Sequence, residues 1–527
     1  MNILKRIRQG SLAHPDRLAV VSEKETLTWR ELDLLSARLA AHIEQFCGDN
    51  KSPIAVYGHK KPMMLVCFLA CVRSGRAYCP IDISVPDSRT HLILDQMDSS
   101  LVLATEPLAC SCGEKALWDL EKLTVLLSQD LPLLPENMAV SGDDTYYIIF
   151  TSGSTGTPKG VQITANCLNH YLDWSITLGT SPDQKQGQIF LNQAPFSFDL
   201  SVMDLYTCLA CGGTLFCLSK SSQADYRMLL ERLEASKAQV WVSTPSFADI
   251  CLTDASFSEN LLPELELFLF CGETLTNKTV QKLQSRFPKA QIMNTYGPTE
   301  STVAVTQVLV DEELNRTTSP LPVGCPKPGT LIEIWKEDGT VASPGEKGEI
   351  IILGDTVSSG YYKRPDLTEK AFFTCQRQGQ TIRGYHTGDE GYLEDNMLYY
   401  GGRIDLQIKL HGYRIELGDI ENNILRLPGI SQTAVIPRIS AGKVKSLAAF
   451  TVCQTPVENS FAKSQELKKL LKDYLPDYMI PKKFIFLEEL PVTANGKADR
   501  KALSSMLQPA GTSLAHGVDR EASGGKE

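Results

Sequence analysis

Residues 151–160 read Thr-Ser-Gly-Ser-Thr-Gly-Thr-Pro-Lys-Gly, directly after the apolar run Tyr146-Tyr147-Ile148-Ile149-Phe150. The apolar run predicts a buried strand. A strand ending in hydroxylated residues, glycines and one lysine presents backbone N–H groups, hydroxyls and a cation to a phosphate chain. Glycine lets the backbone approach a ligand closely and take positive φ. The stretch is not a Walker-A loop, G-x-x-x-x-G-K-[ST]: Pro158 stands where that loop needs its second glycine, and Lys159 is followed by Gly160 rather than Ser or Thr. A P-loop kinase or ATPase is therefore disfavoured. The bland alternative is a Gly/Ser-rich surface turn.

At 527 residues the chain is too long for one ordinary core. Single cores stop growing at about 250–300 residues, so at least two domains are expected. A hydrophobic content of 43% with 22% charged residues fits a globular protein. The net charge is -10 and no long Lys/Arg block offsets it. That argues against a broad nucleic-acid or anionic-membrane surface. The N-terminus turns polar at once, with no signal-peptide core. Met63 to Val72 is too short to span a bilayer and reads as a buried helix. Together these features predict a cytoplasmic protein. The 15 cysteines are scattered through apolar segments, as small hydrophobes are. Cys208 with Cys211, and Cys110 with Cys112, lack a second pair at zinc spacing.

From residue 1 to about 403, strand-like runs alternate with longer helical stretches, the pattern of α/β layers. Pro53–Tyr57, Gln239–Ser243 and Leu267–Phe270 read as strands. Polar loops follow at Cys271-Gly272-Glu273 and at Asn294-Thr295-Tyr296-Gly297-Pro298-Thr299-Glu300. Ligands lie beyond the carboxyl ends of strands in open α/β sheets, so these loops are expected to share one site with 151–160. Past Arg403 the texture changes. Leu406–Leu410 and Tyr413–Glu416 flank His411-Gly412, a hairpin signal. A helix is expected over about Asp419–Leu427 and a short Lys-faced helix over Leu467–Tyr474. The fold class is therefore α/β: a large multi-layer N-terminal domain (1–403), a hinge (404–406) and a small mobile α+β domain (407–508). The Gly/Ser/Ala-rich stretch 509–527 reads as a disordered tail.

Five stretches in order, Thr151–Gly160, Asn294–Glu300, Tyr385-His386-Thr387-Gly388-Asp389, Gly402–Lys409 and Thr493-Ala494-Asn495-Gly496-Lys497, resemble the core motifs of the adenylate-forming superfamily. That superfamily contains acyl-CoA synthetases, luciferases and the adenylation domains of peptide synthetases. The likeness spans about Leu27 to Arg500. Leu191–Tyr206, Ser243–Phe247, Phe270–Glu273 and Val303–Thr306 are similar to its stand-alone ligases that load D-alanine onto a carrier protein for teichoic-acid D-alanylation. His386 departs from the Arg or Lys common there, while Asp389 is kept.

The resemblance implies ATP-dependent formation of an aminoacyl-adenylate, then transfer to a phosphopantetheine thiol on a small acidic carrier acting in trans. It implies that Thr151, Ser152, Gly153, Ser154, Thr155 and Lys159 hold the β- and γ-phosphates. Asn294, Thr295, Tyr296, Gly297, Pro298 and Thr299 would line the adenine and α-phosphate region, with Tyr400, Gly401, Gly402 and Arg403 supporting the nucleotide. Asp389 would accept from the ribose hydroxyls. Glu300 is the candidate Mg2+ ligand, since a hard cation prefers carboxylate oxygen. Lys497 would bridge the substrate carboxylate and the α-phosphate as a point cation. Asp199 would pair with the substrate ammonium, with a helix N-cap as the plainer alternative. Cys271 and Val303 would shape the side-chain pocket. Asp405 matches the hinge, about which Lys497 and the hairpin at Lys409, Gly412 and Arg414 would alternate at the site. The basic run Lys468–Lys472 reads as a solvated helix face in preference to a carrier-docking surface. Another small amino acid, a short acid activated for CoA, or an ATP-binding sensor without turnover remain the alternatives at this level.

Overall fold

The computed structural model describes residues 2–153, 157–181, 185–377, 379–404, 407–440, 443–492 and 498–507. Ser154, Thr155, Asp405, Lys497 and the expected tail at 509–527 lie outside the described residues. Two open sheets stack around shared helices. One runs Cys325–Pro326, Thr306–Leu309, Gln291–Tyr296, Leu267–Phe270, Val240–Ser243, Ile189–Asn192, Thr214–Cys217, Leu18–Val21, Thr26–Thr28. The other runs Gly360–Tyr361, Lys159–Thr164, Thr145–Thr151, Tyr78–Asp82, Ile54–Gly58, Leu101–Ala104, Ala116–Trp118. Their central strands are parallel. Such strands are buried on both faces and read as continuous apolar runs rather than alternating ones.

The helices Pro62–Arg73 and Leu200–Ala210 are buried on almost every side. A helix that is apolar all round belongs inside a core. These two share a cluster with strands of both sheets, for example Val56, Tyr78, Tyr146, Val240 and Leu269. The expected buried helix at 63–72 is thus present, and among the described residues no helix is long and apolar enough to cross a membrane. All fifteen cysteines are free, and Cys208 and Cys211 are buried without a metal cluster among the described residues.

The alternation expected to run to 403 stops earlier. Thr330–Trp335, Gly348–Gly354, Gln380–Glu394, Phe372–Arg377 and Met397–Arg403 form an antiparallel sheet. Its strands alternate buried and exposed positions because one face meets water. Among the described residues of this part of the chain, one short helix, Pro365–Ala371, interrupts the strands.

The smaller domain has its own cores, around Ile408, Ile415, Ile420, Val435, Leu447 and Leu471, and around Ala434, Phe450 and Leu503. Its helix expected at 419–427 spans Leu417–Leu425. The helix expected at 467–474 spans Ser460–Leu471 instead. Asn459 starts it by accepting from the Ala462 backbone N–H, an N-cap that the Lys-rich reading overlooked. Strands Gln407–Leu410 and Tyr413–Glu416 form the expected hairpin, joined by His411 and Gly412 at φ 53 and 84. Two consecutive positive φ values are what a two-residue type I′ hairpin turn requires.

Candidate active site

The phosphate-type loop connects two antiparallel strands, with Thr151 opposite Lys159 and Phe150 opposite Gly160. It therefore feeds a second strand rather than a helix, which separates it physically from a Walker loop. Gly153 is required by space: a Cβ there would sit 2.2 Å from the Thr157 carbonyl oxygen. Thr151 Oγ1 is buried with no hydrogen-bond partner among the described residues, an unusual state for a native hydroxyl.

The carboxyl ends of Leu267–Phe270 and Gln291–Tyr296 lie side by side, with Phe270 paired to Asn294. This brings Cys271-Gly272-Glu273 beside Asn294–Glu300. Asn294 Nδ2 donates to the Pro322 carbonyl at 2.8 Å and Thr295 Oγ1 to the Phe270 carbonyl at 2.8 Å. Their side chains hold the loops in place. A Cβ on Gly297 would lie 2.6 Å from Ala304 Cα, so the chain doubles back on itself here. Thr302 and Val303 follow at φ 62 and 70. Left-handed backbone at β-branched residues is rare and concentrates at functional sites.

Glu300 is fully buried and is the electrostatic centre. Tyr361 donates its hydroxyl to Oε1 at 2.7 Å, Lys159 Nζ lies 3.5 Å from Oε1, and Arg414 Nη1 lies 2.6 Å from Oε2. Burial alone would raise this carboxyl. Arg414, Lys159 and the Tyr361 hydroxyl overcome it and hold Glu300 at about 2. Burial, and then Arg414, push Lys159 below its ordinary value.

Asp389 is equally buried. Its oxygens accept from the Tyr296 hydroxyl at 2.6 Å and from Arg403 Nη1 at 2.8 Å. Gln407 Oε1 accepts from Arg403 Nη2 at 2.7 Å and Arg414 Nε at 2.6 Å, tying the last strand of the large domain to the hairpin. His386, the departure noted above, pairs with Glu349 at 3.0 Å, beside Trp335 and Phe373, and leaves the Asp389 cluster intact.

The hairpin of the small domain is seated in this site. Lys409 and Arg414 are opposite each other in register and so share one face. Ile408 and Ile415 face the small domain's core. Two like charges directly opposite destabilise an isolated hairpin; here Arg414 meets Glu300, and Lys409 lies over the rings of Tyr296 and Tyr400 at 5.5 and 5.8 Å. Ser152 donates to the Arg414 carbonyl at 2.8 Å and accepts from the Glu416 N–H at 3.1 Å. Gly412 N–H donates to Glu273 Oε1 at 3.0 Å. A side chain at 412 would strike Thr244, 2.3 Å from its Cβ.

Two cavities meet here. The wider, about 660 Å³, is lined by Gly272, Asn294, Tyr296, Tyr400, Gly402 and Arg403, among others. The narrower, about 30 Å³, is bounded by Asp199, Cys271, Gly297, Thr299, Val303 and Arg414, among others. Asp199 stands just before the helix Leu200–Ala210 but makes no side-chain cap bond, so the N-cap alternative fails. Burial pushes its carboxyl up to about 6, although a hydrogen bond from Thr299 and the charge of Lys409 act the other way. Cys271 Sγ lies 3.7 Å from the Val303 carbonyl. Of the expected site residues, those described gather around these two cavities and the loop beside them. Tyr361 was not expected at the site, and Glu273, expected there only as part of its loop, holds the hairpin turn through the Gly412 N–H. Tyr361 sits on a two-residue strand beside Lys159–Thr164, with no local pattern to mark it.

The sequence matches the family model for AMP-binding enzymes over residues 8–362 and that for their C-terminal domain over 419–497. This chain belongs to the AMP-binding enzyme family. It is 48% identical over 507 residues to a D-alanine--D-alanyl carrier protein ligase of Bacillus licheniformis, covering 95% of this chain and 99% of that one. It is 45% identical over 510 residues to the Bacillus cereus ligase of the same name, covering 96% and 99%. A solved NRPS protein with adenylation and PCP domains superposes with a TM-score of 0.80 at 26% identity, over 96% of this chain and 84% of that one. An o-succinylbenzoate CoA synthetase from Bacillus subtilis shares the fold, with a TM-score of 0.81 at 21% identity, over 96% and 98%.

Glu300 has a depressed value, so its contribution to hairpin docking is full above the ordinary 4.5 and fades only as pH falls toward about 2. Protection of the 407–416 amides from hydrogen exchange is therefore expected to be flat between pH 8 and 5 after correction for intrinsic rates. Glu300→Gln leaves Arg414 buried without its counter-charge, a loss on the order of 3 kcal/mol, and exchange of these amides should accelerate on the order of 100-fold.

Proposed function

We propose that this enzyme activates D-alanine with ATP and passes the D-alanyl group to the phosphopantetheine thiol of a separate carrier protein, in support of teichoic-acid D-alanylation in the cytoplasm. The names of the two Bacillus relatives support the substrate and the carrier. The observation that carries the reading is the narrow cavity: about 30 Å³, with two buried carboxylates, Asp389, which is already bonded to Tyr296 and Arg403, and Asp199 beside Cys271 and Val303. It suits a substrate with an ammonium group and a side chain no larger than methyl. A fatty or aromatic acid would not fit it, and would offer Asp199 no ammonium group.

In the first half-reaction a carboxylate oxygen of D-alanine attacks the α-phosphorus of ATP. The bond to the β-phosphate bridging oxygen breaks and pyrophosphate leaves. Positioning and charge neutralisation supply most of what such a step needs. Thr151, Ser152, Gly153 and Lys159 take the leaving phosphates, and the buried Thr151 hydroxyl has bonding capacity to spare. Tyr296, Asp389 and Arg403 hold the nucleoside end. Asp199 receives the ammonium, and Lys497 bridges the carboxylate and α-phosphate. In the second half-reaction the carrier thiolate attacks the adenylate carbonyl and AMP leaves with the C–O electron pair.

Magnesium fits the chemistry of Glu300, a hard oxygen donor beside a phosphate loop. When bound, Mg2+ neutralises charge building on the phosphates. With the hairpin seated, both Glu300 oxygens accept from protein groups, so the carboxylate is open to a metal once Arg414 withdraws. The link at 404–406 is the hinge for that movement.

Three measurements test this reading. ATP–pyrophosphate exchange should be strongest with D-alanine among D-alanine, L-alanine, glycine, D-serine and acetate; strongest exchange with L-alanine or acetate would refute the assignment. The KM for D-alanine should rise about tenfold per pH unit below about 6, because the ammonium binds only the ionised form of a carboxyl raised to about 6. The KM for ATP should not follow it, and Asp199→Asn should flatten the profile. Lys497→Ala should abolish exchange, by at least about 100-fold, yet spare thioester formation from supplied D-alanyl-adenylate.

A further inference from the structure

Two ion pairs cross between the domains on either side of the seated hairpin. Arg89, on the helix Asp87–Gln96, places Nη1 3.0 Å from Asp419 Oδ2, with side chains 10% and 0% exposed. Asp419 stands in the first turn of Leu417–Leu425, directly after the hairpin strand that carries Arg414. Its other oxygen accepts from Asn423 Nδ2 at 3.0 Å. Across the hairpin, Asp249 on the helix Pro245–Cys251 meets Lys443 Nζ at 2.7 Å and accepts from Thr279 Oγ1 at 2.7 Å. Between the pairs, Tyr413 of the hairpin stacks between Phe198 of the large domain and Tyr478 of the small one, at 5.3 and 3.7 Å. None of the four charged residues borders the narrow cavity.

We propose that Arg89–Asp419 and Asp249–Lys443 are positioning pairs that hold the hairpin-in orientation, and so serve the thiol-transfer half-reaction specifically. A buried ion pair adds little net stability compared with an apolar pair, but losing one partner strands the other charge. Such pairs are therefore suited to specifying one of several packings of two domains. Arg89 and Asp419 lose each other in any orientation that withdraws Arg414 and brings Lys497 to the same place. Their cost then falls on the transfer geometry and not on adenylation. This inference rests on the two-step reading above.

The test compares wild type with Arg89→Gln, Asp419→Asn and the double variant. Exchange with D-alanine and ATP measures adenylation, and single-turnover loading of phosphopantetheinylated carrier measures transfer. Exchange should stay within about twofold of wild type, or rise, in all three. Transfer should fall about tenfold or more in each single variant, and the double should be milder than the product of the two singles. Amide exchange over 407–416 in the free enzyme should quicken in the singles, a readout that needs no substrate. The swap Asp249→Lys with Lys443→Asp should restore hairpin protection lost in either half alone. Equal losses in both half-reactions, strictly additive singles, or hairpin protection untouched by all the variants would overturn the proposal. Wild-type enzyme without D-alanine exchange, but with hairpin protection that follows the pairs, would overturn the substrate reading and leave the latch standing.

Discussion

The buried carboxylate of Glu300 is the constraint on which the site depends. A charge with no access to water must be met by partners of opposite sign or by donors. Here they come from three distant parts of the chain: Lys159 behind the phosphate-type loop, Tyr361 on a two-residue strand, and Arg414 on the small domain. Satisfying one group thus joins the seven-stranded sheet, the loop after Gln291–Tyr296 and the hairpin. Two cations surround this single anion, and burial, with Arg414 adding to it, lowers Lys159. That local excess of positive charge, in a protein of net charge -10, is why the phosphate site is proposed here.

The two cavities divide recognition between them. The wide one is bordered by backbone-rich loops and by an Asp389–Tyr296–Arg403 network that is internally satisfied and therefore rigid. The narrow one is built with tension. Asp199 is kept where ionisation is unfavourable, and Thr302 and Val303 adopt left-handed backbone that β-branched residues avoid. Dense packing behind Gly297 holds that geometry. A carboxylate so placed gains most from a cation, which is the basis of the proposed selectivity for a small ammonium-bearing acid.

The seated hairpin combines folding and charge placement in one element. Period-two alternation puts Lys409 and Arg414 toward the site while Ile408 and Ile415 build the small domain's core. The same strand pattern that folds the domain therefore aims its charges. On the proposed reading, adenylation needs those charges withdrawn from Glu300, which requires that neither orientation be overwhelmingly favoured. Contacts of modest net strength, such as cross-domain ion pairs, suit that requirement better than a large apolar interface.

The strands and buried helices were legible from apolar runs alone, because doubly covered parallel strands and core helices have no polar face to obscure them. The hairpin was legible from His411-Gly412, since few residues adopt positive φ twice in succession. The antiparallel sheet at 330–403 was not, because its strands carry the mixed pattern of a half-exposed surface and resemble helical amphipathicity over short windows. Residue types likewise marked Thr151–Lys159, Glu300, Asp389 and Asp199 as chemically meaningful, yet left their burial unknown. The sequence by itself determined the classes of chemistry available: a phosphate-type loop, lone acids after strands, and a cationic hairpin. Only the tertiary structure decided that Glu300 is paired to Arg414, that Tyr361 completes the cluster, and that the cavity beside Asp199 is as small as about 30 Å³. Those facts depend on distances between segments up to about two hundred and fifty residues apart, and on the desolvation that packing imposes, neither of which local pattern encodes.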